Sequence, residues 1–227
     1  MTGRRARTTA LAAGAAVAGL AVAPPIDAVA DRTLAGHMLQ HMLLTMAAAP
    51  LIVIGSPIAL ALRRAPRRGR RALAGLGRGR AAHLIASPAL GWALLPAVQI
   101  VVYTTPLLRI SAQDDRVHAA VHAALLGAAL LFWRPVLGAD PIRRLAPLAQ
   151  VGYLLAAMPA GDVVGVWLVA SAGVHYPAAV TTGLGDQRRA GAIMLAGSFV
   201  LGAAALRCAW RWVRRDELRA AIREQAL

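Results

Sequence analysis

Apolar runs recur along this chain at close to the length that crosses a lipid bilayer as helix. Nothing else in the sequence constrains the fold as strongly. They extend from Thr8 to Ala23, Thr33 to Leu62, Leu84 to Pro106, Val117 to Leu137, Leu145 to Ala170, and Ala190 to about Val213. A hydrocarbon core needs ~20 predominantly apolar residues of helix, and spanning structures must satisfy their own backbone. Hydrophobic residues make up 58% of the 227 and charged residues 15%, where a soluble domain carries roughly a quarter charged. The expected fold is all-α: a polytopic transmembrane bundle of about six helices, one domain over residues 1–227, in contact with the lipid bilayer. Pro50 and Gly55-Ser56-Pro57 are expected to kink or end the long second run. Arg4, Arg5 and Arg7 precede the first run and Ala28-Val29-Ala30 resembles a cleavage site, so a removed signal peptide leaving five helices is an alternative.

The net charge of +15 is carried by 25 arginines and no lysine. Eight of the arginines fall between residues 63 and 80, in a basic loop 63–82, and six in a basic tail 207–227. Arg143 and Arg144 follow the fourth run. The segments after the first and third runs carry Asp27, Asp31, Asp114 and Asp115, which offset their few arginines. The positive-inside rule then places both termini in the cytoplasm, with Arg188 and Arg189 the one pair running against it. Arginine between apolar segments fits anionic lipid, and no basic stretch is interleaved with stacking aromatics, which argues against nucleic acid. The lone cysteine, Cys208, excludes an internal disulfide or a CxxC metal site and reads as a small packed hydrophobe.

Two short motifs break the apolar pattern. "HMLQHMLL" places His37 and His41 four residues apart in the second run, and "VHAAVHAALL" places His118 and His122 alike in the fourth. Residues i and i+4 share a helix face. On the expected topology both pairs enter from the outer side, some 6 and 12 Å deep at ~1.5 Å per residue. Intramembrane ionisable groups are rare and usually functional, although one such histidine can simply bond a backbone carbonyl or water. Two matched pairs point to a four-imidazole cluster holding a metal or cofactor. A bis-histidine haem takes its ligands from opposite faces of the porphyrin. Pairing each histidine across the helices would set two irons only ~6 Å apart. One haem would leave two histidines unused, whereas a compact copper or zinc site uses all four.

Thioethers favour copper(I). Met38, Met42 and Met46 form a stripe one residue from the histidine face, and Met194 is expected at similar depth. Such a stripe more often packs against another helix, so Met38, Met42 and Met194 are candidate ligands beside that reading. Asp162, expected near the histidine level in the fifth run, is a further candidate as partner or ligand. His175, Asp186 and Gln187 are expected in the last outer loop, Asp186 as a further candidate metal ligand beside a solvated-surface reading, and His83 at the cytoplasmic end of the third run.

Three ordered blocks carry a family likeness. "PPIDAVADRTLAGHMLQHMLL" followed by "APLIVIGSP", then "VHAAVHAALLGAALLFWRPVLGADP", then Tyr176-Pro177 with "DQRRAGAIM" resemble the bacterial CtaG family of membrane proteins needed to assemble haem–copper cytochrome c oxidase. The likeness runs from about Pro24 to Leu206 and marks His37, His41, His118, His122, Asp186, Gln187 and Met194. Many relatives have a further amino-terminal helix, and many show tryptophan-histidine where this chain has "YTTP" at 103–106. Asp162 replaces an apolar position of the family pattern. The resemblance implies a non-enzymatic role in oxidase maturation at the bacterial cell membrane, with copper, as Cu(I), supplied to the oxidase catalytic subunit. Three other readings remain open on the residues: a haem-binding membrane oxidoreductase, a copper homeostasis or transport protein, and a metal-free scaffold. The sequence does not fix the oligomeric state.

Overall fold

A computed structural model describes residues 2–57, 60, 66, 79, 84–138 and 144–225. The eight loop arginines, Arg143 and His83 lie outside the described residues. Helix α1 spans Thr2–Ala21 and α2 Pro24–Ala30. Ala23, held extended before Pro24, breaks them apart, and the two axes meet at 48°. Helix α3, Leu34–Met42, starts at Thr33, whose side chain accepts from the Gly36 N–H at 3.0 Å. It continues through a π turn, Leu43–Ala48, into α4, Ala49–Gly55. Helix α5 is Pro88–Thr104, α6 Leu107–Ser111, α7 Asp115–Leu137, α8 Pro147–Ala170 and α9 Leu184–Gln225. No strand occurs among the described residues.

The fold class is therefore an all-α membrane bundle. Among the described residues, four helices are long and apolar enough to cross a bilayer: Leu34–Gly55 taken as one, α7, α8 and α9, with α1 and α2 together a fifth. The sixth expected crossing, α5, is shorter at 17 residues. The last element exceeds the expected Ala190–Val213, since α9 is 42 residues long and extends past any ~30 Å core at both ends. Apolar side chains face outward along the bundle; Phe199 is 80% exposed, as a lipid-facing surface requires.

The π turn follows from Pro50. Proline has no N–H to give the Met46 carbonyl, and the Ala49 N–H reaches back five residues to Leu44 O. Thr45 O thereby loses its α-helical donor. The Trp133 indole of α7 supplies the replacement, donating to Thr45 O at 2.9 Å. The expected kink at Pro50 is thus a register change one turn earlier, locked by a tryptophan. The chain ends α4 at Gly55, with Ser56 left-handed at φ 51°.

Glycines set the closest helix approaches. A Cβ on Gly191 of α9 would lie 2.6 Å from Gly165 O of α8, so this crossing needs small residues on both sides. A Cβ on Gly14 would meet Ile52 at 2.8 Å, which shows α1 packed closely against α4.

Candidate metal centre

Helices α3 and α7 have their amino-terminal turns at the same end of the bundle, and the histidine pair of each meets that of the other. The imidazole rings form a cluster. Ring centroids are 4.4 Å apart for His37 and His41, and 4.2 Å for His118 and His122. Across the helices His37 stacks on His118 at 5.0 Å, while His41 meets His122 edge-on at 5.1 Å. One ring nitrogen from each of His37, His41 and His118 lies within 4.8 Å of the other two. His122 completes the cluster from the second turn of α7.

His41 is 0% and His37 4% exposed, and all four Nε2 atoms are buried without a hydrogen-bond partner. Leaving a buried polar atom unpaired costs about 1–3 kcal/mol, and native interiors hold few such atoms. Four such nitrogens in one cluster form a set of donors that could hold a metal. The donors fit a borderline or soft metal, since neutral imidazole suits copper and zinc.

Surrounding groups fix the rings. His41 Nδ1 lies 2.8 Å from the Tyr103 hydroxyl of α5. The Tyr176 hydroxyl in turn donates to Tyr103 O at 2.7 Å, and burial raises the Tyr176 phenol so that it stays a donor. Gln40, fully buried between the two α3 histidines, donates to Ala21 O and to Asp27 Oδ1, each at 2.9 Å. Ligand atoms of Asp27, Asp31 and His118 lie within 4.8 Å of one another. The half-buried Asp27 and exposed Asp31 thus extend the site from the imidazoles toward the surface.

The remaining candidates take other places. Asp186 is in the first turn of α9, not a loop, and is only 1% exposed. Its carboxylate accepts from the Leu34 N–H at 2.8 Å, the Ala35 N–H at 3.1 Å, the Thr181 hydroxyl at 2.9 Å and the Thr182 N–H at 3.2 Å. It therefore holds the start of the histidine helix, satisfying donors that a helix terminus leaves open. Gln187, also buried, donates to Gly173 O at 3.1 Å and accepts from the His175 N–H at 2.8 Å. His175 stacks on Trp167 at 4.3 Å, away from the cluster. Met38 packs in the apolar core with Leu34 and Leu168. Met42, Met46 and Met194 line a small cavity that also receives Ser198, whose hydroxyl donates to Asp162 Oδ1 at 2.5 Å.

Tyr103, Gln40, Asp27 and Asp31 are the site residues that sequence reading missed. The glutamine between two histidines in an oily run was a usable signal. Tyr103 gave none.

A family model described as cytochrome c oxidase caa3 assembly factor (Caa3_CtaG) matches residues 2–215. Uncharacterized proteins of Mycobacterium bovis and Mycobacterium tuberculosis are each 33% identical over 143 residues, 59% of this chain and 21% of theirs. One of Mycobacterium leprae is 32% identical over the same span. The matched part of the chain thus spans about a fifth of the length of these curated relatives. No solved structure matches.

Proposed function

The chain belongs to the caa3-type cytochrome c oxidase assembly factor family, and from that premise we propose that it holds copper(I) at the histidine cluster and supplies it to the oxidase catalytic subunit. The observation carrying this reading is the set of four buried, unpartnered Nε2 atoms shared between α3 and α7. Copper is the cargo here, bound and released without being transformed, so no catalytic step is required.

The three close ligands, His37, His41 and His118, grip the ion through Nε2. His41 then carries its proton on Nδ1 and donates it to the Tyr103 oxygen, the usual arrangement for a metal-bound imidazole. A three-nitrogen grip leaves a coordination position open. His122 stands beside it, and an incoming ligand from the acceptor subunit would enter through it. Asp27 and Asp31 next to His118 concentrate cations at the mouth. The site faces the outer side of the bacterial cell membrane. Four rings with centroids 4.2 to 6.4 Å apart support a single ion over haem, because a porphyrin plane between any two of them would run into the other two.

The test is the copper content of the oxidase. In a host lacking the native gene, wild type restores oxidase with full copper per haem, whereas His37→Ala/His118→Ala yields oxidase with haem and little copper. Full copper from the variant would refute the delivery role.

A further inference from the structure

Beyond the histidines, the bundle contains a cavity of about 30 Å³ that four methionines line: Met42 and Met46 from α3 and the π turn, Met158 from α8, and Met194 from α9. That is about the room of one water molecule or ion. Met42 and Met194 are buried, Met46 and Met158 partly so. Gln99 of α5 also lines it, 5% exposed, and its side chain has no hydrogen-bond partner among the described residues. Met42 follows His41 directly in the chain, so the cavity begins where the histidine cluster ends.

We infer that this cavity is a second copper(I) site, built from thioethers and placed deeper in the membrane than the imidazoles. Three features set it apart from ordinary methionine packing. The first is that methionines from α3, the π turn, α8 and α9 line a void instead of filling it, although methionine is the side chain best suited to filling gaps. The second is Gln99, a buried amide facing a space that only a polar or ionic guest would satisfy. The third is the π turn, a rare element often found at functional sites, which lies between Met42 and Ala49 and carries Met46. Gly197 of α9 leaves room for the sulfur, since a Cβ there would stand 3.2 Å from Met42 Sδ.

Charge also fits. Copper(I) held by neutral thioethers and an amide oxygen keeps its single positive charge inside the bilayer, where an uncompensated ion is costly. Ser198 lines the cavity and donates to Asp162 Oδ1 at 2.5 Å, placing a carboxylate behind the site as counter-charge. This gives Asp162 a role although it lies outside the histidine cluster. Soft sulfur ligands select copper(I) over zinc and copper(II), so the deeper site discriminates where the imidazoles do not.

The experiment titrates copper(I) into the purified full-length protein in detergent, under anaerobic reducing conditions, and reads the ligands by copper K-edge X-ray absorption. Wild type binds two equivalents, with nitrogen and sulfur in the shell. Met158→Leu/Met194→Leu, matched in volume, binds one equivalent with the sulfur shell gone. The quadruple alanine variant of His37, His41, His118 and His122 binds one equivalent with sulfur retained. A wild type that binds one equivalent with no sulfur overturns the second site and leaves the histidine site standing. A quadruple histidine variant that keeps two equivalents overturns the histidine site. A methionine double variant that keeps two equivalents and an unchanged sulfur shell also overturns the inference, since Met158 and Met194 then hold no copper.

Discussion

At the residue scale, the site is organised by groups far apart in sequence. His41 and Tyr103 are 62 residues apart yet their polar atoms meet at 2.8 Å. Tyr103→Phe keeps the ring and removes only the hydroxyl that orients His41. Losing such an outer partner typically costs 10–100-fold in metal affinity, so copper(I) affinity is expected to fall by about that factor with circular dichroism unchanged; an unchanged competition titration would deny Tyr103 a role. His122 sits outside the close triad of His37, His41 and His118. His122→Ala is therefore expected to weaken copper(I) binding while sparing stoichiometry, whereas His41→Ala removes an equivalent. The histidines were legible because their four-residue spacing puts each pair on one helix face. Tyr103 was not legible, because its role depends on how α5 packs against α3. Asp27 read only as a loop charge until Gln40 tied it to the site.

At the element scale, the histidine helix is fixed at its start by Asp186 and in its middle by Trp133. Asp186→Ala strips acceptors from the Leu34 and Ala35 N–H groups and is expected to cost about 1–2 kcal/mol, the upper part of the range for lost caps. It should lower Tm in detergent, with Asp186→Asn recovering part of the loss. Were Asp186 instead a copper ligand, Asp186→Ala would lose copper without losing Tm. Trp133→Phe leaves Thr45 O unpaired in the π turn and is expected to cost about 1–3 kcal/mol, again read as Tm. Apolar length alone gave the helices. It did not give the π turn, since Pro50 announces a break but not which residue absorbs it. Nor did hydropathy place Asp186 and Gln187 inside α9, because polar residues in a first helical turn read like a loop when their buried partners are out of sight.

At the scale of the whole molecule, charge and chemistry divide between the two ends of the bundle. The end that holds the histidines bears Asp27, Asp31, Asp114, Asp115 and Asp186 against Arg32, Arg109, Arg116, Arg188 and Arg189. The opposite end holds Arg134, Arg144 and the arginines of α9 from Arg207 to Arg223. There Arg144 donates to the carbonyls of Leu137 and Gly138, closing α7. By the positive-inside rule the histidine end is expected to face outward. A periplasm-active reporter inserted in loop 171–183 is expected to be active and one fused after Leu227 silent, the reverse pattern inverting the topology. Because both histidine pairs start their helices at the same end of the bundle, one ion can bridge α3 and α7 only if both are present. The decisive measurement is anaerobic copper(I) titration of wild type, His37→Ala and His118→Ala. The account predicts that each variant, one on each helix, loses the same single imidazole-bound equivalent; if either binds like wild type, the shared site does not exist.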